Sequence, residues 1–328
     1  MAFSGKPHAT LRSAHARYAA RAAEACGYAF RSLDGADGYL FEVSDGARRA
    51  VFAAGAGTPH AMNDARAASI ARDKAFCAEV LRQAGVPVLA GAMFFVTDRW
   101  ADMRAPGREL EDAFAYVETA DLPVFCKPIT ASNGLYAEVI GSAEGFKDYA
   151  ARVAREHFAI LVQPYVRAPE YRVFVLNGQA LFSYQKSLPV VTGDGRSSLR
   201  ALIAAMPQHA ATPQPRARGR DRRGRLYGAG DIPARGDLIT LEGPANRAAG
   251  GGADGLRDGA PERLAQTALA AAKALGLSLA GVDMFDLEGG ELTVIEVNSN
   301  PMIATLEENE RWDLIIEIWR ANFDAALR

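Results

Sequence analysis

The stretch LAGVDMFDLEGGELTVIEVNSN, residues 279–300, constrains the fold of this chain more than any other. Two alternating apolar segments meet at Gly289-Gly290, a pair able to take the positive φ values of a two-residue turn, so the stretch reads as an antiparallel hairpin. A turn between Glu288 and Glu291 sets Leu287 opposite Leu292, Phe285 opposite Val294 and Asp283 opposite Glu296. Directly opposed residues project from one face with Cβ atoms about 4.5 to 5.5 Å apart. Asp283, Glu296 and the next residue on that face, Asn298, therefore converge, while Val282, Met284, Ile295 and Val297 make the other face a core surface.

Two facing carboxylates repel, and one would have its pKa raised. A hard divalent cation removes the repulsion, and an all-oxygen set of Asp, Glu and Asn leaves positions open for phosphate and water, as Mg²⁺ prefers. Protonation, or pairing with one of the many arginines, removes it equally well. The residue pattern leaves both readings open.

With 328 residues the chain can form two or more packed subdomains. A hydrophobic share of 49% and a charged share of 23% belong to an ordinary globular protein. The formal charge of -2 gives no global attraction to polyanions, so nucleic-acid or membrane binding would need a local patch. No run reaches the roughly 18 consecutive apolar residues of a membrane span, and MAFSGKPHATLRSAH lacks the apolar centre of a secretion signal. Cys26, Cys77 and Cys126 sit in apolar patterns without CxxC spacing, and the five histidines show no HExxH spacing, which argues against a disulfide framework and a zinc site. These features point to a soluble protein of the reducing cytoplasm.

Residues 9–26 carry helical spacing, and YAFRSLDG, YLFEVSDG and RRAVFAAG follow as short strands. Asn63 or Asp64 can cap a helix whose apolar face takes Ala67, Ile70, Cys77 and Leu81, with the Asp73-Lys74 pair in its middle. VPVLAGAMFFV and LPVFCKP read as strands, the second closed by Lys127; residues 143–158 read as a helix and ILVQPYV as a strand interrupted at Pro164. In YRVFVLNGQALFSYQ, Asn177-Gly178 signals a type I′ hairpin. Residues of about 205–260 are rich in Gly, Pro, Ala and Arg and are expected as mobile loops around a strand in DLITLEG. A helix runs from Pro261 to Gly276, and RWDLIIEIWRANFDAAL is an amphipathic terminal helix.

Five stretches, ARDKAFCAEVLRQAGVPV, LPVFCKP, ILVQPYVRAPEYRVFV, ANRAAGGGADG and DMFDLEGGELTVIEVNSNP, resemble in order the ATP-grasp superfamily. SYQKSLPVVTGDGRSSLRALI and ANRAAGGGAD are most similar to the ATP-grasp module of cyanophycin synthetase and of bifunctional glutathione synthetases. The resemblance implies an α+β ATP-grasp fold. Two antiparallel-sheet subdomains, 63–166 and 167–328, would clasp ATP behind a short α/β lead-in at 1–62. It assigns Lys74 and Lys127 to the α and β phosphates, and the loop TASNGLY, with Asn133 and Gly134, to a cover over them. Gln163, Tyr165 and Val166 fall at the adenine hinge, Gln163 replacing a commoner acid, and Glu170 falls at the ribose hydroxyls. Arg172, Lys186, Asn246 and Arg247 match positions near the γ-phosphate and the transferred acyl group. Asp283, Glu296 and Asn298 become ligands of Mg²⁺, two ions in the family, with Mn²⁺ an alternative.

The implied activity is ATP-dependent, ADP-forming joining of a small-molecule carboxylate to an amine through an acylphosphate, on amino-acid-like substrates. An ATP-grasp kinase and a non-catalytic nucleotide-binding regulator are the alternatives. No nucleic acid or membrane partner is expected, and a homo-oligomer is compatible with the pattern. The second ligase domain of cyanophycin synthetase and the glutamate-cysteine ligase domain of the glutathione enzyme have no counterpart here, which suggests a free-standing module. RARGRDRRGR, residues 216–225, has six arginines but no interleaved aromatic residue, so it is expected as a mobile loop over the cleft and not as a nucleic-acid patch. VTGDGRSSL is explained by a turn and a Ser197 or Ser198 helix cap, without a ligand.

Overall fold

In the computed structural model, which describes residues 10–54, 60–132, 134–206, 217–243, 245 and 250–328, the first element is α1 (Ala14–Cys26). The Ser13 hydroxyl accepts from the Ala16 N–H at its start, and Gly27, at φ 74°, closes it in a left-handed cap. β1 (Ala29–Ser32), β2 (Leu40–Ser44) and β3 (Arg49–Ala53) follow as an antiparallel meander. Phe41 stacks between Phe30 and Phe52, with ring centroids 5.2 and 5.5 Å away.

Asp64 caps α2 (Ala65–Arg72). The single helix expected here is broken at Asp73, whose backbone is extended (φ −84°, ψ 109°) and whose carboxylate accepts from the N–H groups of Ala75 and Phe76. Aspartate competes poorly inside a helix but caps one well, so it starts α3 (Lys74–Gln83), and Lys74 opens that helix instead of lying in a helix middle.

β4 (Ala92–Phe95), α4 (Leu110–Thr119), β5 (Val124–Pro128), β6 (Glu138–Ile140), α5 (Ala143–Val153) and β7 (Ala159–Pro164) build a four-stranded antiparallel sheet ordered β4-β7-β5-β6. Alternation decides its faces. Phe94, Val124, Cys126, Ile160 and Val162 pack under Phe146 and Tyr149 of α5 and Val117 of α4. Phe125, Lys127 and Gln163 occupy the other face.

The remaining elements are β8 (Glu170–Leu176), β9 (Gln179–Ser187), β10 (Val190–Thr192), α6 (Leu199–Ala204), β11 (Gly219–Arg220), β12 (Leu226–Tyr227), β13 (Leu238–Leu241), β14 (Gly252–Asp258), α7 (Glu262–Leu275), β15 (Leu279–Asp286), β16 (Leu292–Asn298), α8 (Ala304–Glu308) and α9 (Trp312–Ala326). Asn177 and Gly178, at φ 48° and 75°, make the expected tight turn. Ser198 caps α6, as the ligand-free reading of VTGDGRSSL requires. Where mobile loops were expected, residues 217–243 take part in a small sheet, β10-β13-β11-β12, over Val191, Leu199, Ile203, Tyr227, Ile239 and Leu241. Residues 217–225 of the arginine run are part of it: β11 and β12 pair, and Asp221 accepts from the N–H groups of Arg223 and Arg225 to close the turn.

The five-stranded sheet β14-β9-β8-β15-β16 is buried on both faces. Val173, Val175, Ala280, Val282, Met284, Val294 and Val297 pack on α7 and on α2 and α3, while Ala75 of α3 also packs on Ile129, Ala159 and Leu161 beside the four-stranded sheet. On the other face Phe174, Leu176, Phe182 and Leu279 pack against α1, β2 and α9. The edge of β16 is covered by the chain ahead of β4, through Leu89 N–H to Val294 O (2.9 Å) and Val294 N–H to Pro87 O (2.9 Å).

The last hairpin departs from the expected register near its tip. Asp286 faces Leu292 and Phe285 faces Thr293, because residues 287–291 form a wider loop with Gly289 and Gly290 at φ 85° and 81°. Ile295 is then an extra residue between the pairs Met284–Val294 and Asp283–Glu296, a β-bulge that shifts the pairing back by one. Asp283 and Glu296 therefore stand opposite as expected, while Val294 replaces Ile295 on the core face.

Candidate active site

Along β8 one face changes character. Leu176 and Phe174 belong to the core, and Arg172 and Glu170, the next residues on that face, are charged. Across the sheet this places Tyr184, Arg172, Asp283 and Glu296 in one row over β9, β8, β15 and β16. Glu170 and Lys186 oppose each other one step toward the strand end, and Asn298 opposes Gly281 one step toward the core.

Asp283, 1% exposed, is held by Arg172, whose Nε and Nη2 donate to its two oxygens at 2.6 Å each, and by Lys186 Nζ at 3.3 Å. Lys186 also pairs with Glu170. A bidentate fork is the strongest form of such a pair. Asn298 Nδ2 donates to Glu296 Oε1 at 3.3 Å. Among the described residues no group of three His, Cys, Asp or Glu side chains is arranged to hold a metal ion.

Two lysines enter from the other elements. Lys74 donates through Nζ to Ala131 O (2.6 Å) and through its N–H to Ile129 O (2.9 Å), fastening the start of α3 to the segment after β5. Lys127 lies opposite Leu161 on β7 and is 5% exposed. Burial pushes the Glu296 carboxyl up, but Lys74, Lys127, Lys186 and Arg172 together hold it down at about 2. Burial lowers Lys127, aided by Lys74 and opposed by Glu296. Burial also raises Glu170 against the pull of Lys186. Lys186 and Arg172 stay above their ordinary values despite burial, because Asp283 faces them both. Four cations against three carboxylates leave a positive balance in a poorly solvated place, which favours an anion.

Gln163 is buried; its Nε2 donates to Leu89 O (3.4 Å) and its Oε1 has no partner. A Cβ at Gly91 would meet Gln163 Cγ at 2.7 Å, so only glycine lets the chain pass here. Tyr165 and Val166 are half-buried in the link from β7 to β8, with Arg167 over the Tyr165 ring at 5.4 Å. Gly134 takes φ 72° in the turn after β5. Asn133, Asn246 and Arg247 lie outside the described residues.

Two residues that matter to the site's shape were not singled out from the sequence. Asn63, weighed only as a helix cap, is buried and accepts from the N–H groups of Ser278 and Leu279 while donating to Leu279 O and Ser299 O. Gly281 admits Pro301, since a Cβ there would lie 2.8 Å from Pro301 Cβ. A glycine inside a strand, two residues before Asp283, was the available signal for this close approach.

A family model described as the RimK-like ATP-grasp domain matches residues 246–321. The glutathione biosynthesis bifunctional protein GshAB of Streptococcus mutans is 28% identical over 257 residues, covering 70% of this chain and 32% of that protein. Cyanophycin synthetase of Geminocystis herdmanii is 25% identical over 258 residues, covering 71% and 28%. The chain spans about a third of the length of the curated relatives it matches. The crystal structure of a bifunctional glutathione synthetase from Pasteurella multocida aligns with TM-score 0.49 at 22% identity, over 93% of this chain and 44% of that one. Two antiparallel sheets flanking a cluster of lysines and carboxylates, together with these relatives, bear out the family resemblance: over residues 246–321 the chain is similar to the RimK-like ATP-grasp domain.

Proposed function

We propose that the chain is an ATP-dependent, ADP-forming carboxylate-amine ligase. The observation that carries this reading is the convergence of Lys74, Lys127, Arg172 and Lys186 around Asp283 and Glu296, in a chain related to GshAB and cyanophycin synthetase. ATP would lie between the four-stranded and five-stranded sheets. Lys74 and Lys127 would meet its α and β phosphates, Gln163, Tyr165 and Val166 the adenine, and Glu170 the ribose, with Gly134 and Asn133 in the covering loop. The orphaned Gln163 Oε1 is an acceptor suited to an exocyclic amino group.

A carboxylate oxygen of the first substrate attacks the γ-phosphorus, ADP leaves, and the amine nitrogen of the second substrate displaces phosphate from the acyl carbon. Arg172 and Lys186, with Asn246 and Arg247, would hold the charge that develops on the transferring phosphoryl group. Glu296, Asn298 and Asp283 would hold Mg²⁺ or Mn²⁺, because their side-chain oxygens suit a hard cation. Bound ions, two in this reading, supply charge neutralisation of the phosphates.

The test is an ADP-release screen with amino acids singly and in pairs, with mass spectrometry of products. Amine-dependent ADP release, and an acyl hydroxamate when hydroxylamine replaces the amine, are expected. A stable phosphorylated product formed without an amine would assign a kinase instead, and absence of ADP release with every combination would leave a nucleotide-binding regulator.

A further inference from the structure

The small sheet β10-β13-β11-β12 buries one face and leaves the other open. Val191, Tyr227, Ile239 and Leu241 pack with Leu199 and Ile203 of α6. Leu226, Arg220, Thr240 and Val190, one from each strand, are paired in a row on the opposite face, and Leu226 and Val190 are 45% and 46% exposed. At one end of the sheet lie the β11-β12 turn with Arg222 and Arg223, the turn after β10 with Arg196, and the approach to β13 with Arg235, all four exposed. Gly193 N–H to Asp237 O (2.8 Å) and Gly195 N–H to Pro233 O (3.1 Å) join the last two. Residues 190–206 and 217–242 carry eight arginines and no lysine against five carboxylates, in a chain whose formal charge is -2. The carboxylates are already committed. Asp194 accepts from the N–H groups of Arg196 and Ser197, Asp221 from those of Arg223 and Arg225, and Asp231 from that of Gly228. Asp237 accepts from the Tyr227 hydroxyl, and Glu242 pairs with Arg167 and Arg218. Among the described residues the guanidinium groups of Arg196, Arg222, Arg223 and Arg235 have no carboxylate partner.

We propose that this face docks a short extended peptide segment in which acidic residues alternate with aliphatic ones. Charge complementarity sets the acidic part, because an unpaired guanidinium offers the planar fork that takes a carboxylate in two hydrogen bonds. The exposed row sets the aliphatic part. Leu226 and Val190 flank Arg220 and Thr240, so a partner has to offer apolar groups between its charges, as side chains at period two along an extended chain do. A nucleic acid suits the face less well. Tyr227, the aromatic residue of these strands, is 3% exposed and offers no ring for a base to stack on, and the apolar side chains find no counterpart in a phosphate backbone. Docking here involves none of the residues assigned to ATP and requires no turnover.

Fluorescence anisotropy is measured on the full chain with a dye-labelled peptide, Glu-Val-Glu-Val-Glu-Thr, against its counterpart Gln-Val-Gln-Val-Gln-Thr and a labelled oligodeoxythymidine of the same length. The glutamate peptide is expected to bind, the glutamine peptide not to, and the affinity to fall as NaCl is raised. Arg222→Gln with Arg223→Gln, at an exposed turn, is expected to weaken the glutamate peptide by about tenfold, with Tm and ADP affinity unchanged. Should that double variant fail to fold, Arg235→Gln on a separate turn repeats the test and is expected to weaken the peptide several-fold. Leu226→Ser is expected to weaken the same peptide while leaving one with serine in place of valine unchanged, and equal losses for the two would overturn the aliphatic part. No binding of the glutamate peptide, equal binding of the glutamine peptide, or binding indifferent to the arginine variants would overturn the proposal. Tighter binding of the oligonucleotide than of the glutamate peptide would overturn it as well and assign the face to nucleic acid. A loss of ADP affinity in the arginine variants that matches the loss of peptide affinity would place these side chains at the nucleotide cleft instead.

Discussion

Arg172 and Asp283 face each other across β8 and β15, joined by two hydrogen bonds of 2.6 Å at the centre of the charged row. Removing one partner of a buried pair leaves an uncompensated charge. Arg172→Met is therefore expected to destabilise the fold by about 3 kcal/mol, since Lys186 alone remains for Asp283. Asp283→Asn in the same chain should recover part of the loss. Urea unfolding of the three proteins measures both, and an unchanged midpoint in Arg172→Met would contradict the pairing.

Asp73 both breaks α2 from α3 and aims Lys74. Asp73→Ala removes two acceptor contacts at the start of α3 and is expected to cost about 1 kcal/mol. If Lys74 meets phosphate, ADP affinity falls with it by several-fold. Calorimetric titration of ADP into the variant checks this, and a stability loss with unaltered affinity would separate the cap from the phosphate role.

Gly281→Ala places a methyl group 2.8 Å from Pro301 Cβ. The segment 299–301 has to move, and overpacking of this kind costs about 1 to 3 kcal/mol. Turnover is expected to fall further than ADP affinity, because the displaced segment adjoins Asn298 and not the lysines. Equal losses in both would argue that the whole sheet is disturbed.

His60 gives a pH signature. Its folded-state pKa, about 3, lies below the ordinary 6.5, so between those values the unfolded chain binds a proton that the folded chain refuses. The stabilisation is complete above pH 6.5 and declines as pH falls toward 3, with a slope approaching about 1.4 kcal/mol per pH unit. His60→Gln should flatten the curve in that window whatever it does to stability at pH 7. His15, lowered in the same direction, accounts for part of what remains. Parallel curves for wild type and variant would show that His60 is charged when folded.

Local signals carried much of the fold. The turn residues Asn177-Gly178, the cap Ser198 and the left-handed Gly276 act within a few residues, and each lies where the sequence puts it. Features set by distant contacts were harder to see. The break at Asp73 needs the Asp-for-cap preference to outweigh a helical pattern that runs through it. The arginine run looks like a loop by composition, yet its hairpin is held by Asp221 and by a core drawn from β10, α6 and β13. Asp283 and Glu296 were placed correctly for an incomplete reason, since the loop is wider than two residues and the bulge at Ile295 compensates. The pairing of Asp283 with Arg172 lay beyond any spacing rule, because β8 and β15 are more than a hundred residues apart in sequence. The ring cluster of His15, His60 and Trp319 gathers three separate regions of the chain in the same way.

The bulge at Ile295 works like a phase shifter between the hairpin tip and the charged row. On the tip side of it, strand pairing follows the loop; on the other side, it follows β8 through the Arg172–Asp283 match. The two ends of one hairpin are thereby uncoupled. A loop at 287–291 that lengthens or shortens can be absorbed before Glu296 is reached, so the part of the hairpin most open to variation is insulated from the part that carries the chemistry.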